Sequence, residues 1–493
     1  MGRVDAVLKE FGPMISGKLA ALLEKKYAIS NEAARKAVSR AMSPVQKLKV
    51  FPFNKNQVFC YLEEQYNTQA YKYSLYEALK TESISASVII HALENSNYIM
   101  KKSLLPVFSK SPITNTTGHR LFERIMSDLI RQGVLHEIDE EYIAVSPMYC
   151  GEEYNITYSR SKEQVEKIVV NDFVTWASKI NIIAYNSAKI FPEEGSFAHF
   201  KWFATIPSYV IPLYDGVKQR PGFVVVDVLF IANASVDDVM FFVEKVNIIR
   251  NFKGVPAFAP ILLLNGVSNE ALKYLKENKV VVGILSNIFD KSYSETLMNM
   301  YNVLRNTTAV LLKEPQKIEQ LINEIEKSEG RFNNAMGDLF ECMVGLFFHR
   351  IGSKYCELNK LVPNDKGGKY EMDVLVERDG KMLVIECKAY RGNVGKDYIE
   401  KWLSTRIPTF RKFLAKVYPE RKIEFSIWSL GGFDEQAEEM LKNHKASAKK
   451  YELTYYDKED IYQFAKSKGD KTFCEQINKH FEEYGIDKYK ENE

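Results

Sequence analysis

Tyr370-Glu371-Met372-Asp373-Val374-Leu375-Val376, then Glu377-Arg378-Asp379-Gly380-Lys381, then Met382-Leu383-Val384-Ile385-Glu386-Cys387-Lys388-Ala389-Tyr390 run without a break through the last third of the chain. Asp379-Gly380 is a tight-turn signal and joins two β-prone runs into a hairpin. Asp373 falls in the first strand, Glu386 and Lys388 in the second. Side chains alternate along a strand, so Glu386 and Lys388 leave one face while Ile385 and Cys387 enter a core on the other. A surface hairpin whose Asp, Glu and Lys merely pair is the competing reading. It fits poorly with charges set into so apolar a run, because burying an unpaired charge is expensive. A metal site is a physical reason to tolerate them.

Two carboxylates from adjacent strands can hold Mg²⁺, a hard ion that takes oxygen ligands and keeps several waters. Mn²⁺ is expected to substitute. Such an ion clamps a phosphate oxygen and lowers the pKa of a bound water. A lysine on the same face orients that water or stabilises charge developing on the phosphorane. Its ammonium also relieves the mutual repulsion of the carboxylates before a metal arrives. The chemistry suited to this arrangement is phosphodiester hydrolysis.

The order Asp373, a dozen residues, then Glu386-Cys387-Lys388 resembles the PD-(D/E)XK nuclease superfamily, whose fold is that of restriction endonucleases. Met372 stands where proline is usual. Upstream, Asn334-Ala335-Met336-Gly337-Asp338-Leu339-Phe340-Glu341 opens an apolar helix running to Phe348. It looks like the Gly-x-x-Phe-Glu start of the first core helix in the Mrr-like branch. Downstream, a strand over 423–430, Gly431-Gly432-Phe433, a helix over 434–442 and a strand over 451–456 follow the order of the same branch. The resemblance implies a magnesium-dependent endodeoxyribonuclease. Asp373, Glu386 and the Cys387 backbone carbonyl would be its metal ligands and Lys388 its catalytic lysine. Glu341 would support the metal or a second ion. It further implies DNA as partner, a homodimer because two strands need two sites, and a place in restriction or antiviral defence.

The rest of the chain reads as three further segments. Residues 1–68 show a helix over 15–26, a second over 31–42 capped by Ser30, and a hairpin of 47–53 with 58–61 across Asn54-Lys55-Asn56. Helix, helix, hairpin is a winged-helix outline. Arg35, Lys36 and Arg40 lie on the polar side of its second helix. Residues 69–150 repeat the outline, with helices over 73–79, 86–94 and 120–132 and a hairpin of 134–138 with 142–145. Arg120 and Arg124 sit on the last of those helices. The two helices 31–42 and 120–132 are the expected DNA-groove readers. An all-helical adaptor is the alternative for this region.

Residues 151–312 read as α/β. A helix over 163–180 precedes strands over 209–213, 223–231 and 260–264, a helix over 269–277 and a buried strand over 280–285. Leu264-Asn265-Gly266-Val267-Ser268-Asn269-Glu270-Ala271 parallels Leu430-Gly431-Gly432-Phe433-Asp434-Glu435-Gln436-Ala437. On that alignment Asp227 takes the place of Glu386, Leu229 that of Lys388, and Asp215 lies one residue off that of Asp373. The segment is then a catalytically dead, nuclease-like copy; an unrelated α/β domain is the alternative. No phosphate-binding glycine loop marks it as a nucleotide site. The stretch 313–330 reads as a charged linker helix before the nuclease domain at 328–493, whose tail frays after Tyr484. On the helix following the hairpin, Lys396, Lys401, Arg406 and Arg411 could contact phosphates or form a solvated face.

The expected fold class is therefore multidomain α/β and α+β. Net charge is +3, so DNA affinity must come from local clusters. The six cysteines form no Cys-x-x-Cys pair and the seven histidines are scattered, which argues against zinc or disulfide frameworks and for a reducing cytoplasm. Apolar runs such as 223–232 are about half of a membrane span, and no membrane partner is expected. Two other functions compete. One is a repair or recombination nuclease on branched or single-stranded DNA. The other is a non-enzymatic winged-helix regulator carrying a relic motif.

Overall fold

The computed structural model describes residues 2–150, 156–191, 195–326, 335–364, 369–389 and 392–482. It divides into two compact units, Met1–Ser294 and Glu295–Glu493. Both mix helices with sheets, and among the described residues no helix is long and apolar enough to cross a membrane. The tail beyond residue 482 lies outside the described residues.

Unit one opens with helices Arg3–Phe11, Ser16–Tyr27 and Asn31–Arg40 around a three-stranded sheet. Phe59–Leu62 lies in its middle, antiparallel to both Met14–Ile15 and Val45–Leu48. Leu8, Leu19, Leu23, Val38, Val45 and Cys60 form the core. Ser30 caps the third helix, its Oγ accepting from Ala33 N at 3.3 Å. The first arm of the hairpin begins and ends earlier than expected. Phe51 and Phe53 leave the ladder to be buried at 2% and 1% exposure, so packing overrides their alternation. A second set follows: helices Gln69–Glu82, Ala86–Glu94 and Phe122–Arg131, and a sheet with Tyr142–Val145 between Ile99–Lys101 and Leu135–Glu137.

The remainder of unit one is a five-stranded sheet of β1 (Lys189–Ile190), β2 (Ala204–Ser208), β3 (Gly222–Leu229), β4 (Phe258–Leu264) and β5 (Val281–Ile284), in that spatial order. Helix α1 (Ile156–Lys179) precedes it, α2 (Val236–Arg250) links β3 to β4, and α3 (Asn269–Glu277) links β4 to β5. Two expectations fail here. Residues 209–213 form a turn, with Tyr209 61% and Ile211 91% exposed and Pro212 unable to donate to a ladder. The strand they displaced is β2, which holds Pro207 at its end. β5 is an edge strand with Val281 51% exposed, not a strand covered on both faces.

Unit two contains helix α4 (Ala335–Arg350), strands β6 (Tyr355–Pro363), β7 (Lys369–Arg378) and β8 (Lys381–Lys388), helix α5 (Lys396–Lys401), a π-helical turn Trp402–Arg406 and helix α6 (Ile407–Val417). Strand β9 (Lys422–Ser429), helix α7 (Glu435–Ser447) and strand β10 (Glu452–Tyr456) complete the motif. β6 and two closing helices, Lys458–Ser467 and Lys471–Glu482, are additions to the expected order. The expected linker is helical over Gln316–Glu326, and it carries core residues rather than charge alone. Ile318, Leu321, Ile322 and Ile325 are buried, because its charged residues cover only the opposite face.

The two five-stranded sheets have one topology. β1 to β5 and β6 to β10 are each ordered in sequence, with the first two pairings antiparallel and the last two parallel. The ladders end at matching places. β3 with β4 stops at Leu229↔Leu264 and β8 with β9 at Lys388↔Ser429; β2 with β3 stops at Ala204↔Val226 and β7 with β8 at Val374↔Ile385. Beyond the sheets, Ala234 bridges Val267 and Val394 bridges Phe433, both in parallel. Ala234 N donates to Gly266 O, and Val394 N to Gly432 O. Ser268 and Asp434 then cap α3 and α7 by accepting from Ala271 N and Ala437 N.

Candidate active site

Strand β8 places Met382 and Val384 in the core against Ile399, Trp402, Leu403 and Ile407 of the α5–α6 layer. Two residues further along the same face comes Glu386, 1% exposed and therefore inside the protein. Asp373, 5% exposed, lies one position past the last β7–β8 pair and so faces Glu386. Its Oδ2 accepts from Cys387 N at 2.8 Å, which fixes the carboxylate against the neighbouring strand. The hairpin geometry thus brings together the three residues that the sequence singled out. They do not form a surface salt-bridge hairpin.

Lys388 Nζ lies 2.8 Å from Glu386 Oε1, 3.5 Å from Asp373 Oδ2 and 3.0 Å from Cys387 O. One ammonium therefore contacts an oxygen of each of Glu386, Asp373 and Cys387. Burial pushes the Asp373 carboxyl up to about 7, the Glu386 charge adding to the shift and the Lys388 ammonium opposing it. Burial acts on Glu386 too, but Lys388 and Arg406 outweigh it and hold that carboxyl below the usual carboxylate range. Lys388 is desolvated, yet its two acidic neighbours hold it well above the usual lysine range.

Two partners of Glu386 come from the layer above. Tyr398 OH, from α5, donates to Glu386 Oε1. Arg406 NH1, from the π turn, reaches the same oxygen at 2.9 Å. The sequence offered no sign of Tyr398. Arg406 was legible only as one of several cations on a helix, because a π turn shifts its phase and leaves no mark in the residue pattern. Glu341, on α4, acts on Asp373 through its charge and raises its pKa.

A hard divalent cation fits this site on one observation: Glu386 Oε2 is buried and has no hydrogen-bond partner among the described residues, while Oε1 of the same carboxylate has three donors. A buried orphan carboxylate oxygen is costly unless a cation completes it. Among the described residues no three His, Cys, Asp or Glu side chains gather to hold a metal by themselves. An ion here would use Asp373, Glu386, the Cys387 carbonyl and oxygens from water or phosphate, as Mg²⁺ does with two carboxylates.

The cations expected to meet DNA lie on several elements of the two units. Arg35, Lys36 and Arg40 are exposed on Asn31–Arg40, with Lys36 paired to Glu32 at 2.7 Å. Arg124 is exposed on Phe122–Arg131. Arg120 precedes that helix and is a structural tie: NH1 donates to Val50 O at 2.8 Å, and NH2 pairs with Asp128. Lys396 and Lys401 are exposed, and Lys396 lines an open cavity of about 610 Å³ with Gln436, Glu439 and His444.

The equivalent place in unit one holds different chemistry. Asp227 on β3 corresponds to Glu386 and Leu229 to Lys388, as the alignment expected. The position facing Asp227 is Phe203, whose N–H donates to Asp227 Oδ1 at 2.9 Å. Asp215 is not the partner acid. It lies in a turn, its Oδ1 accepting from Val217 N and Lys218 N, because 209–213 is not the strand that pairs with β3. Lys245 of α2 lies 2.5 Å from Asp227 Oδ2, and both residues are fully buried.

No family model matches the chain, and no curated protein does. Among solved structures it is similar to AF1548, a protein of unknown function, at 23% identity and a TM-score of 0.19, over 26% of this chain and 64% of that one. It is also similar to the small subunit of the heterodimeric restriction endonuclease R.BspD6I, at 17% identity and a TM-score of 0.21, over 32% of this chain and 80% of that one.

Proposed function

We propose that the chain is a divalent-metal-dependent endodeoxyribonuclease whose reaction centre is Asp373, Glu386 and Lys388. The observation that carries this reading is the buried convergence of two carboxylates and an ammonium, with Glu386 Oε2 left for a cation. Asp373 and Glu386 would hold Mg²⁺ or Mn²⁺ together with the Cys387 carbonyl. The ion supplies Lewis-acid activation of a phosphodiester and of a bound water. Lys388 would orient the attacking water or stabilise the developing charge. Glu341, whose charge already acts on Asp373, would support the metal or a second ion.

The two N-terminal three-stranded sheets, each with its last strand in the middle and three helices around it, support a reading as winged-helix modules that dock on DNA. The shared topology and matching ladder ends support a reading of the central sheet as a nuclease-like copy without catalytic residues. Incubation with plasmid DNA and Mg²⁺ tests the function. The wild type is expected to nick or linearise the plasmid, and Asp373→Ala to lose at least about a hundredfold in rate through loss of the metal. Wild-type protein that binds DNA but cleaves neither duplex, branched nor single-stranded substrates with Mg²⁺ or Mn²⁺ would instead be a regulator.

A further inference from the structure

Arg406 stands out within the site because its cation is poorly committed. NH1 makes both of its polar contacts, 2.9 Å to Glu386 Oε1 and 3.4 Å to Tyr398 OH. The guanidinium carbon lies 5.8 Å from the centre of the Tyr398 ring. Nε and NH2 have no partner among the described residues, and 29% of the side chain is exposed. Glu386 Oε1 already accepts from Tyr398 and from Lys388, so a third donor exceeds its two lone pairs. Of the three, Lys388 also serves Asp373 and Cys387, and Tyr398 is uncharged. Of the two cations, Arg406 is therefore the one with donors to spare and with part of its side chain open to solvent.

The central sheet shows the contrasting case. From Ala234 and Val394, which make the same bridge, the following helices run eleven residues to Lys245 and twelve to Arg406, the π turn supplying the extra one. Each places a cation on the acid of the middle strand. Lys245 is fully buried and bound to Val107 O at 2.9 Å, Lys201 O at 3.0 Å and Asp227 Oδ2 at 2.5 Å, with Trp202 3.9 Å beneath. It has nowhere to go. Arg406, at the corresponding place, keeps part of its side chain open to solvent, with most of its donors unspent.

We propose that Arg406 is a phosphate-binding residue, held on Glu386 while the site lacks a metal and transferred to a backbone phosphate of the nucleic acid when a divalent cation takes over that carboxylate. This rests on the nuclease reading of the same site. The cation and the guanidinium compete for one carboxylate and repel each other, so metal entry drives Arg406 outward. Its planar fork then meets a phosphate with two parallel N–H donors, a geometry that an ammonium cannot reproduce.

The test compares wild type with Arg406→Gln and Arg406→Lys, each first shown by thermal unfolding to be folded. Calorimetric titration with Ca²⁺ in the absence of DNA is expected to show Arg406→Gln binding the ion several-fold more tightly, since its competitor is gone. Binding of a DNA duplex in Ca²⁺ is expected to weaken about tenfold. The slope of log K against log salt should become shallower by about one. Arg406→Lys should keep the salt slope but lose part of the affinity. Unchanged or weaker Ca²⁺ affinity in Arg406→Gln, or an unchanged salt slope, overturns the proposal while leaving cleavage by the wild type intact. Failure of the wild type to bind Ca²⁺ or to cleave DNA would remove the nuclease reading and this proposal with it.

Discussion

Lys388 owes its place to charge rather than to space. Only 14% of the side chain is exposed, and burial alone would expel its proton. Two carboxylates within 3.5 Å reverse that. Removing the ammonium leaves two buried acids with less countercharge, and breaking a buried pair from one side is strongly destabilising. Lys388→Met is therefore expected to lower stability by about 3 kcal/mol without metal, and saturating Mg²⁺ to restore much of it, because the ion supplies the missing charge. Thermal unfolding with and without Mg²⁺ measures both; equal Mg²⁺ shifts in Lys388→Met and Lys388→Met/Asp373→Asn would refute the metal reading. A second acid reports on pH. Burial raises the Asp172 carboxyl to about 7, against the hydrogen bond from Tyr293 OH at 2.7 Å. A carboxyl with a raised folded pKa binds its proton more tightly when folded. Its stabilising effect is complete below the unfolded value near 4 and is lost as pH rises through 7. Asp172→Asn, a neutral acceptor at every pH, should match wild type in melting temperature at pH 4 and exceed it at pH 8. A constant difference across that range would contradict the assignment.

At the scale of elements, hairpins and helix starts were legible because local chemistry fixes them. Asp379-Gly380 turns with both residues at positive φ, and Ser30, Ser268 and Asp434 each cap the helix that they precede. What escaped was tertiary in origin. Residues 209–213 are as apolar as a strand but lie in an exposed turn, and the strand that pairs with β3 is the short Ala204–Ser208 segment. That misplacement also misassigned Asp215. The strand pair that carries Asp373, Glu386 and Lys388 was readable from spacing alone, whereas the reach of Tyr398 and Arg406 depended on a layer that spacing does not describe. The matching glycines after β4 and β9 make a further point. A Cβ on Gly266 would lie 1.9 Å from Ala232 O, whereas Gly432 has open space but φ +77°. Gly432→Ala is expected to cost about 1 kcal/mol for the left-handed backbone. Gly266→Ala is expected to cost more, since two backbone segments must separate. Chemical denaturation of the two variants ranks them, and the reverse order would show that the segments around Gly266 yield freely.

Across the whole molecule, the two five-stranded sheets solve the same electrostatic problem in different ways. Each middle strand carries an acid at its carboxyl end, 0% exposed in Asp227 and 1% in Glu386. In the central sheet Phe203 stands opposite Asp227, so the site has one negative charge, and one internal ammonium neutralises it. In the C-terminal sheet an acid, Asp373, stands opposite Glu386, and among the described residues Lys388 and Arg406 leave Glu386 Oε2 unmatched. On the proposed reading, the internal cation closes the first site to a metal, while the unmatched oxygen leaves the second able to take one. Lys245→Met should then cost about 3–5 kcal/mol by stranding Asp227 in the core, and no concentration of Mg²⁺ should recover it, since a single carboxylate beside Phe203 cannot hold the ion. Adding Asp227→Asn should restore most of that loss by removing the stranded charge. Calorimetric unfolding of the single and double variants with and without Mg²⁺ decides it. Recovery of Lys245→Met by Mg²⁺ would mean that the central sheet still binds metal and is a second reaction centre rather than a closed one.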